Sequence, residues 1–385
     1  MALGVALLGS TGSIGRSALA VLERHTDRFR LVALAANRRG AELAAQVLRY
    51  RPEMAVLVDG PLPEEARARD SATRWAAGRE ALLEIVTHPH VDVVINAIVG
   101  AAGLEATLMA LRAGKRLALA NKESLVAGGP LVLDALREGG GALVPVDSEH
   151  SAILQCLRGA CDREVRRLVL TASGGPFRDW DIEALANVTP EQALRHPTWD
   201  MGAKITVDSA TLANKALEVI EAHFLFGIPY DRLEVVVHPQ SIIHSMVEFV
   251  DGSVLAQAGF PTMELPILYA LTHPDRIEDA GAPGFDPIAA SPLTFEPLDE
   301  KRFPAFRLGV EAGRVGGTAP AVFNAANEVA VASFLAEDLP FCRIPEVIER
   351  VLAAHEPAPV DSLDAVLEAD SRARAFAREV VAGRC

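Results

Sequence analysis

The stretch Gly4-Val5-Ala6-Leu7-Leu8-Gly9-Ser10-Thr11-Gly12-Ser13-Ile14-Gly15 decides the fold. Gly4 to Leu8 carries no charge and reads as a strand, and Ser13 to Arg24 reads as a helix. The join between them is a G-x-x-G-x-x-G turn. Its glycines permit a tight turn and let backbone approach a pyrophosphate. The helix start then offers N–H groups and a partial positive charge. Placed after the first strand and before the first helix, this turn predicts a dinucleotide site. A ligand-free strand–helix turn is the plainer alternative.

Outward from that turn the pattern repeats. Strands are expected at Leu31–Ala35, Val56–Val58, Val91–Ile95, Arg116–Ala120 and Ala142–Val146. Helices are expected at Ala41–Tyr50, Leu104–Ala113 and Leu131–Glu138. Such β–α alternation predicts a parallel, doubly wound, Rossmann-like sheet of the α/β class. The second strand runs into Asn37-Arg38-Arg39, where an NAD site usually has an acid. Arginine favours the 2′-phosphate, so NADPH is the expected cofactor. Asn96–Gly100 and Asn121-Lys122-Glu123 follow later strands, at the rim of the same site.

Beyond Ser148 the pattern changes. Val165–Thr171 and Glu234–His238 read as strands, and Asp251-Gly252 as the turn of a hairpin joining Ser245–Phe249 to Ser253–Gln257. A helix is expected at Thr211–Phe226. Residues 273–304 hold six prolines, which leave little room for helix or sheet. Ala319–Ala336, Pro345–Ala354 and Ser362–Val381 are helically periodic. The expected organisation is an NADPH-binding domain over 1–147 and an α+β catalytic domain with a dimerisation sheet over 148–272. A linker over 273–304 and a small helical C-terminal domain over 305–385 complete it.

Asp147 and Glu149 are two apart, so an extended backbone would point both to one side. Converging carboxylates repel unless a cation lies between them, and all-oxygen donors suit Mg2+ or Mn2+. An ordinary acidic loop is the alternative. On a helix, Asn214, Lys215 and Glu218 share one face, with Ser209 expected at or just before its start. That arrangement suits a phosphate, with Glu218 left for a metal. A capped amphipathic helix with a surface ion pair explains the same segment. Ser173 lies in the small-residue loop Ala172–Phe177. Trp199 and Met201 in His196–Gly202 suggest a lid, because both are costly to leave in water; a core role for Trp199 is the plainer reading.

The formal net charge of −14 disfavours partners such as nucleic acid or an anionic membrane. Four cysteines without a C-x-x-C pair suggest ordinary thiols in a reducing, cytoplasmic setting. No apolar run approaches the roughly 18 residues of a membrane span, and no basic residue precedes the first apolar run as in a signal peptide.

Eight segments in order carry a resemblance: GSTGSIG, NKESLV, PVDSEHSA, ASGGPF, HPTWDMG, VDSATLANKALEVIEA, HPQSIIHSM and GGTAPAVFNAANEVAV. Together they resemble the 1-deoxy-D-xylulose 5-phosphate reductoisomerase family. The resemblance implies conversion of that substrate to 2-C-methyl-D-erythritol 4-phosphate, in non-mevalonate isoprenoid synthesis, by a homodimer. It implies that Asp147, Glu149 and Glu218 hold the metal. It implies that Ser173, Ser209, Asn214 and Lys215 hold phosphate, with His196 beside the substrate. Lys122 and Ser148 would contact the substrate's polar backbone, and Trp199 and Met201 would close the lid. Thr11, Gly12, Ser13, Ile14, Arg38, Asn121, Glu123 and Gly202 would line the NADPH site beside Asn37. Two departures stand out. Gly259–Pro266 lacks the acid and arginine of the usual P-D-M-R-x-P-I, and Arg39 stands where many members have Asn. A metal-free NADP dehydrogenase and a non-enzymatic NADPH sensor are the competing readings.

Overall fold

The computed structural model describes residues 2–64, 69 and 71–383. Seven strands form one parallel sheet: β1 (Leu3–Leu8), β2 (Phe29–Ala36), β3 (Met54–Leu57), β4 (Arg74–Ala77), β5 (Val93–Asn96), β6 (Arg116–Leu119) and β7 (Ala142–Pro145). Their order is β4-β3-β2-β1-β5-β6-β7. The order reverses between β1 and β5, so the glycine turn lies at the carboxyl end of the strand beside the switch point, where doubly wound sheets bind ligands. Around this Rossmann-like sheet run α1 (Ser13–Arg24), α2 (Gly40–Tyr50), α3 (Arg79–Thr87) and α4 (Leu104–Arg112). The strands β1 to β3 are almost wholly buried, as expected of a sheet covered on both faces. The sequence reading had no counterpart for β4 and α3.

α5 (Lys122–Gly139) begins nine residues before the expected Leu131, with a non-helical residue at Gly128. α6 (Ser148–Cys156) replaces the extended backbone expected at Asp147–Glu149. Asp147 is the reason: its carbonyl accepts from Ser151 N–H at 2.8 Å and its carboxylate from Glu149 N–H at 3.3 Å, which is an N-cap.

The second sheet contains β8 (Val165–Ala172), β9 (Leu233–Val237), β10 (Ile243–Phe249), β11 (Val254–Ala258) and the two-residue β12 (Glu296–Pro297). Its order is β11-β10-β8-β9-β12; β8 and β9 run parallel and the other neighbours antiparallel. The remaining helices are α7 (Pro190–Ala193), α8 (Ala203–Thr211), α9 (Ala213–Phe226), α10 (Glu264–Thr272), α11 (Pro304–Val315), α12 (Ala319–Leu335), α13 (Ile344–Ala353) and α14 (Leu363–Val381).

The chain forms two compact units. One comprises the residues up to Asn121 with Val132–Ser151 and Thr262–Pro283. The other comprises Lys122–Leu131, Ala152–Pro261 and everything from Gly284 on. These units cut across the expected segments. Thr262–Pro283 joins the nucleotide-sheet unit, where Arg24 of α1 holds Glu264 and Asp279, both at 2.7 Å. The C-terminal helices share one core with α8 and α9 instead of closing a core of their own. α12 is buried on nearly all faces, so it needs neighbours all round. Gly309 lets α11 approach closely: a Cβ there would lie 2.6 Å from both Ala216 Cβ and the Phe323 ring. Cys156, Cys161 and Cys342 are free thiols; Cys385 lies outside the described residues. Among the described residues, no helix is long and apolar enough to cross a membrane.

Candidate active site

In the first unit, the nucleotide loop forms where β1 ends. Gly9 and Ser10 N–H both donate to Ala35 O at 2.9 Å, and Gly12 N–H donates to Gly9 O at 3.0 Å. Gly9 takes φ +80°, in the left-handed region open to glycine. A Cβ on Gly15 would lie 2.4 Å from the Gly9 and Ser10 carbonyl oxygens, so only glycine lets the helix meet the strand here. Gly12 is the N-cap of α1 and no side chain caps it. The first-turn amides, with Ser13 and Ile14 among them, therefore suit an anion. The Thr11 carbonyl accepts from Arg16 at 2.9 Å and from Arg39 at 3.3 Å.

Asn37, Arg38 and Arg39 are exposed at the end of β2. Arg38 pairs with Asp59 at 2.7 Å and Arg39 with Glu42 at 3.4 Å. Exposed pairs contribute about 0–1 kcal/mol, so a phosphate can displace either one. Asn121 is buried and ties the next loop in place, donating to Ile98 O at 2.8 Å and Gly100 O at 2.9 Å. Asp147 and Glu149 are half-buried at the start of α6, where Ser148 Oγ–H donates to the Glu149 carboxylate. His150 Nδ1 lies 3.5 Å from Asp147.

The second unit holds a buried cluster around Glu218. Lys122 Nζ donates to Asn214 Oδ1 at 2.8 Å and to Glu218 Oε1 at 3.1 Å. Lys215 donates to Glu218 and, at 2.5 Å, to the carbonyl of Thr171; Asn214 also donates to Glu218. Two lysine side chains thus face the Glu218 carboxylate within this cluster. Lys215 and Glu218 are buried, which corrects the surface ion pair of the plainer reading.

The helix expected over Thr211–Phe226 is α9, and a further helix, α8, ends just before it. Leu212 takes φ +59° between α8 and α9. Ser209 therefore sits in the last turn of α8, not at a helix start, while Asn214 and Lys215 occupy the first turn of α9. Gly175 brings the Ser173 loop against Ser209: a Cβ there would lie 2.7 Å from the Ser209 carbonyl oxygen.

His196 is fixed in one tautomer. Its Nδ1 accepts from the N–H groups of Thr198 at 3.1 Å and Trp199 at 3.0 Å. The ring proton is then on Nε2, which donates to Ser173 Oγ at 3.0 Å. Gly175 N–H also donates to that oxygen at 3.2 Å, so the Ser173 hydroxyl proton is left to donate outward. Burial, with help from Arg178, holds the His196 imidazole down at about 4, so it is neutral at pH 7. Trp199 and Met201 are half-buried, neither core nor fully exposed, with the Trp199 ring 6.2 Å from that of His244. Gly202 is exposed and caps α8. Glu123 accepts from Lys204 at 2.9 Å. The sequence reading did not single out Lys204 or the Thr171 carbonyl. Only the four-residue spacing of Lys204 and Asp208 hinted at the former.

Sequence models of the 1-deoxy-D-xylulose 5-phosphate reductoisomerase family match residues 5–129, and those of its C-terminal domains match 143–226 and 258–376. A protein of that name from Ralstonia nicotianae is 53% identical over 388 residues, covering 99% of this chain and 98% of its own. One from Symbiobacterium thermophilum is 53% identical over 382 residues, with 98% of each covered. The Zymomonas mobilis enzyme, solved in complex with NADPH, is 46% identical at TM-score 0.92, with 99% of each chain covered. A further reductoisomerase, solved with NADPH, fosmidomycin and magnesium, is 37% identical at TM-score 0.91, covering 99% of this chain and 98% of its own. This chain belongs to the 1-deoxy-D-xylulose 5-phosphate reductoisomerase family.

Proposed function

We infer that this chain is an NADPH- and divalent-metal-dependent oxidoreductase that converts 1-deoxy-D-xylulose 5-phosphate to 2-C-methyl-D-erythritol 4-phosphate in isoprenoid precursor synthesis. Likeness at about half identity along nearly the whole chain to enzymes of that name carries the reading. NADPH supplies the hydride, and the cation supplies Lewis-acid stabilisation of charge on substrate oxygens.

Asp147, Glu149 and Glu218 hold that cation, magnesium or manganese; their all-oxygen donor set suits a hard divalent ion. The substrate phosphate is held by Ser173, Ser209, Asn214 and Lys215. In support, Ser173 has a hydroxyl proton to offer and neutral His196 orients it. Lys122 and Ser148 contact the substrate's polar backbone, and Trp199 and Met201 cover it. The pyrophosphate of NADPH rests on the amides around Thr11, Gly12, Ser13 and Ile14, and its 2′-phosphate on Arg38 beside Asn37. Asn121, Glu123 and Gly202 complete the cofactor site. The enzyme acts as a cytoplasmic homodimer: β11 is an edge strand with Val254 and Leu255 each 51% exposed, an apolar edge that a second copy would cover. Its free thiols suit a reducing compartment.

Glu218→Gln tests the metal assignment. The expected variant folds normally and loses at least about a thousandfold in kcat, in the range of lost electrostatic stabilisation. Near-normal turnover by a folded variant would remove Glu218 from the site.

A further inference from the structure

A second buried charge cluster adjoins the groups just assigned and shares Glu123 with them. Lys204, in the first turn of α8, places Nζ 2.9 Å from Glu123 Oε1 and 2.9 Å from Asp208 Oδ2. The other Asp208 oxygen accepts from Asn327 Nδ2 of α12 at 2.7 Å. Asp208 and Asn327 are fully or almost fully buried, and Lys204 is mostly so. Burial alone would lower the Lys204 pKa, but Asp208, Glu123 and Glu328 hold it above its ordinary range. Burial would likewise raise Glu123, yet Lys204 holds it below the usual carboxylate range. Both groups are charged at neutral pH.

One ammonium thus pins three segments together: the start of α5, α8, and α12 through Asp208. The first two carry proposed ligand contacts close by. Lys122 precedes Glu123, Ser209 follows Asp208, and Met201 and Gly202 end the Trp199 loop just before Lys204. From this geometry we propose that Lys204 is a positioning residue for the phosphate and sugar end of the substrate. It sets the first turn of α5 so that Lys122 reaches Asn214 and Glu218, and sets α8 so that Ser209 faces the phosphate. Asp208 and Asn327 hold Lys204 in turn. Breaking a buried pair strands a charge, so loss of Lys204 acts through its neighbours and not through substrate contact.

The inference rests on the substrate-end assignments above. Lys204→Met, Lys204→Arg and Asn327→Ala are compared for steady-state kinetics with 1-deoxy-D-xylulose 5-phosphate and for NADPH affinity by fluorescence. Lys204→Met is expected to raise the substrate KM at least about tenfold and to lower kcat. NADPH Kd should rise less than the substrate KM, since Lys204 reaches the cofactor only through Glu123, and Lys204→Arg should recover most of the KM. Asn327→Ala should give a smaller rise, about threefold, and keeps the test decisive if Lys204→Met does not fold. A folded Lys204 or Asn327 variant with a lowered melting temperature and unchanged KM and kcat overturns the proposal, because the cluster would then be structural only. Wild-type protein inert with this substrate would instead remove the functional reading itself.

Discussion

At the scale of single residues, charge and proton placement decide what each group can do. Arg38 is exposed and its pair with Asp59 is exposed too, so its guanidinium is free to exchange partners. Arg38→Ala should raise the NADPH Kd about tenfold or more, or about 1.4 kcal/mol, and the NADH Kd less than about twofold. Equal losses for both nucleotides would contradict a 2′-phosphate contact. His196 makes a pH prediction. Its folded pKa of about 4 lies below the 6.5 of the free side chain. The unfolded chain therefore takes up the proton first. The stability His196 contributes is complete above pH 6.5 and is lost as pH falls from there towards 4. The melting temperature of the wild type should fall more steeply over that window than that of His196→Asn; matching slopes would show that the ring is not held neutral.

At the scale of elements, close approach fixes the core. Gly309→Val would drive a branched side chain into Ala216 and Phe323. It should destabilise the protein by roughly 1–3 kcal/mol, measured by denaturant unfolding, with NADPH affinity unchanged. An unperturbed midpoint would mean that α11 and α9 are not packed as described. Elements were legible in the sequence where local pattern and packing agree. α1 has the bounds read from Ser13–Arg24, and the hairpin turns at Asp251-Gly252 as its sequence demands. They were illegible where they disagree. β4 is a short edge strand, half-exposed and without alternation. Leu212 adopts a left-handed conformation that no local signal announces, so Ser209 was assigned to the wrong end of a helix. Asp147 with Glu149 carries a helix-start signal, an N-cap acid followed by an acidic first turn, which competes with the extended pattern that pairs the two carboxylates. The residue types at the candidate site were readable because glycine turns, arginines and carboxylates announce their chemistry. The buried partners Thr171 and Asn327 were not, since only the folded chain brings them to Lys215 and Asp208.

At the scale of the whole molecule, two surfaces remain to be accounted for: the apolar sheet edge and the ligand sites of both units. Val254 and Leu255 expose apolar surface along β11, and Val250 just before the turn is 58% exposed. Leu255→Lys should shift the protein from dimer to monomer in sedimentation equilibrium; a dimer of unchanged affinity would move the subunit contact elsewhere. The central claim is that one polypeptide couples a hydride from NADPH to a metal-assisted rearrangement of a sugar phosphate. It is tested most directly by following NADPH absorbance with purified protein and 1-deoxy-D-xylulose 5-phosphate, first with Mg2+ or Mn2+ and then after EDTA. The account predicts oxidation that requires the substrate, stops on chelation and returns when the cation is restored. Oxidation that continues undiminished in EDTA would contradict it.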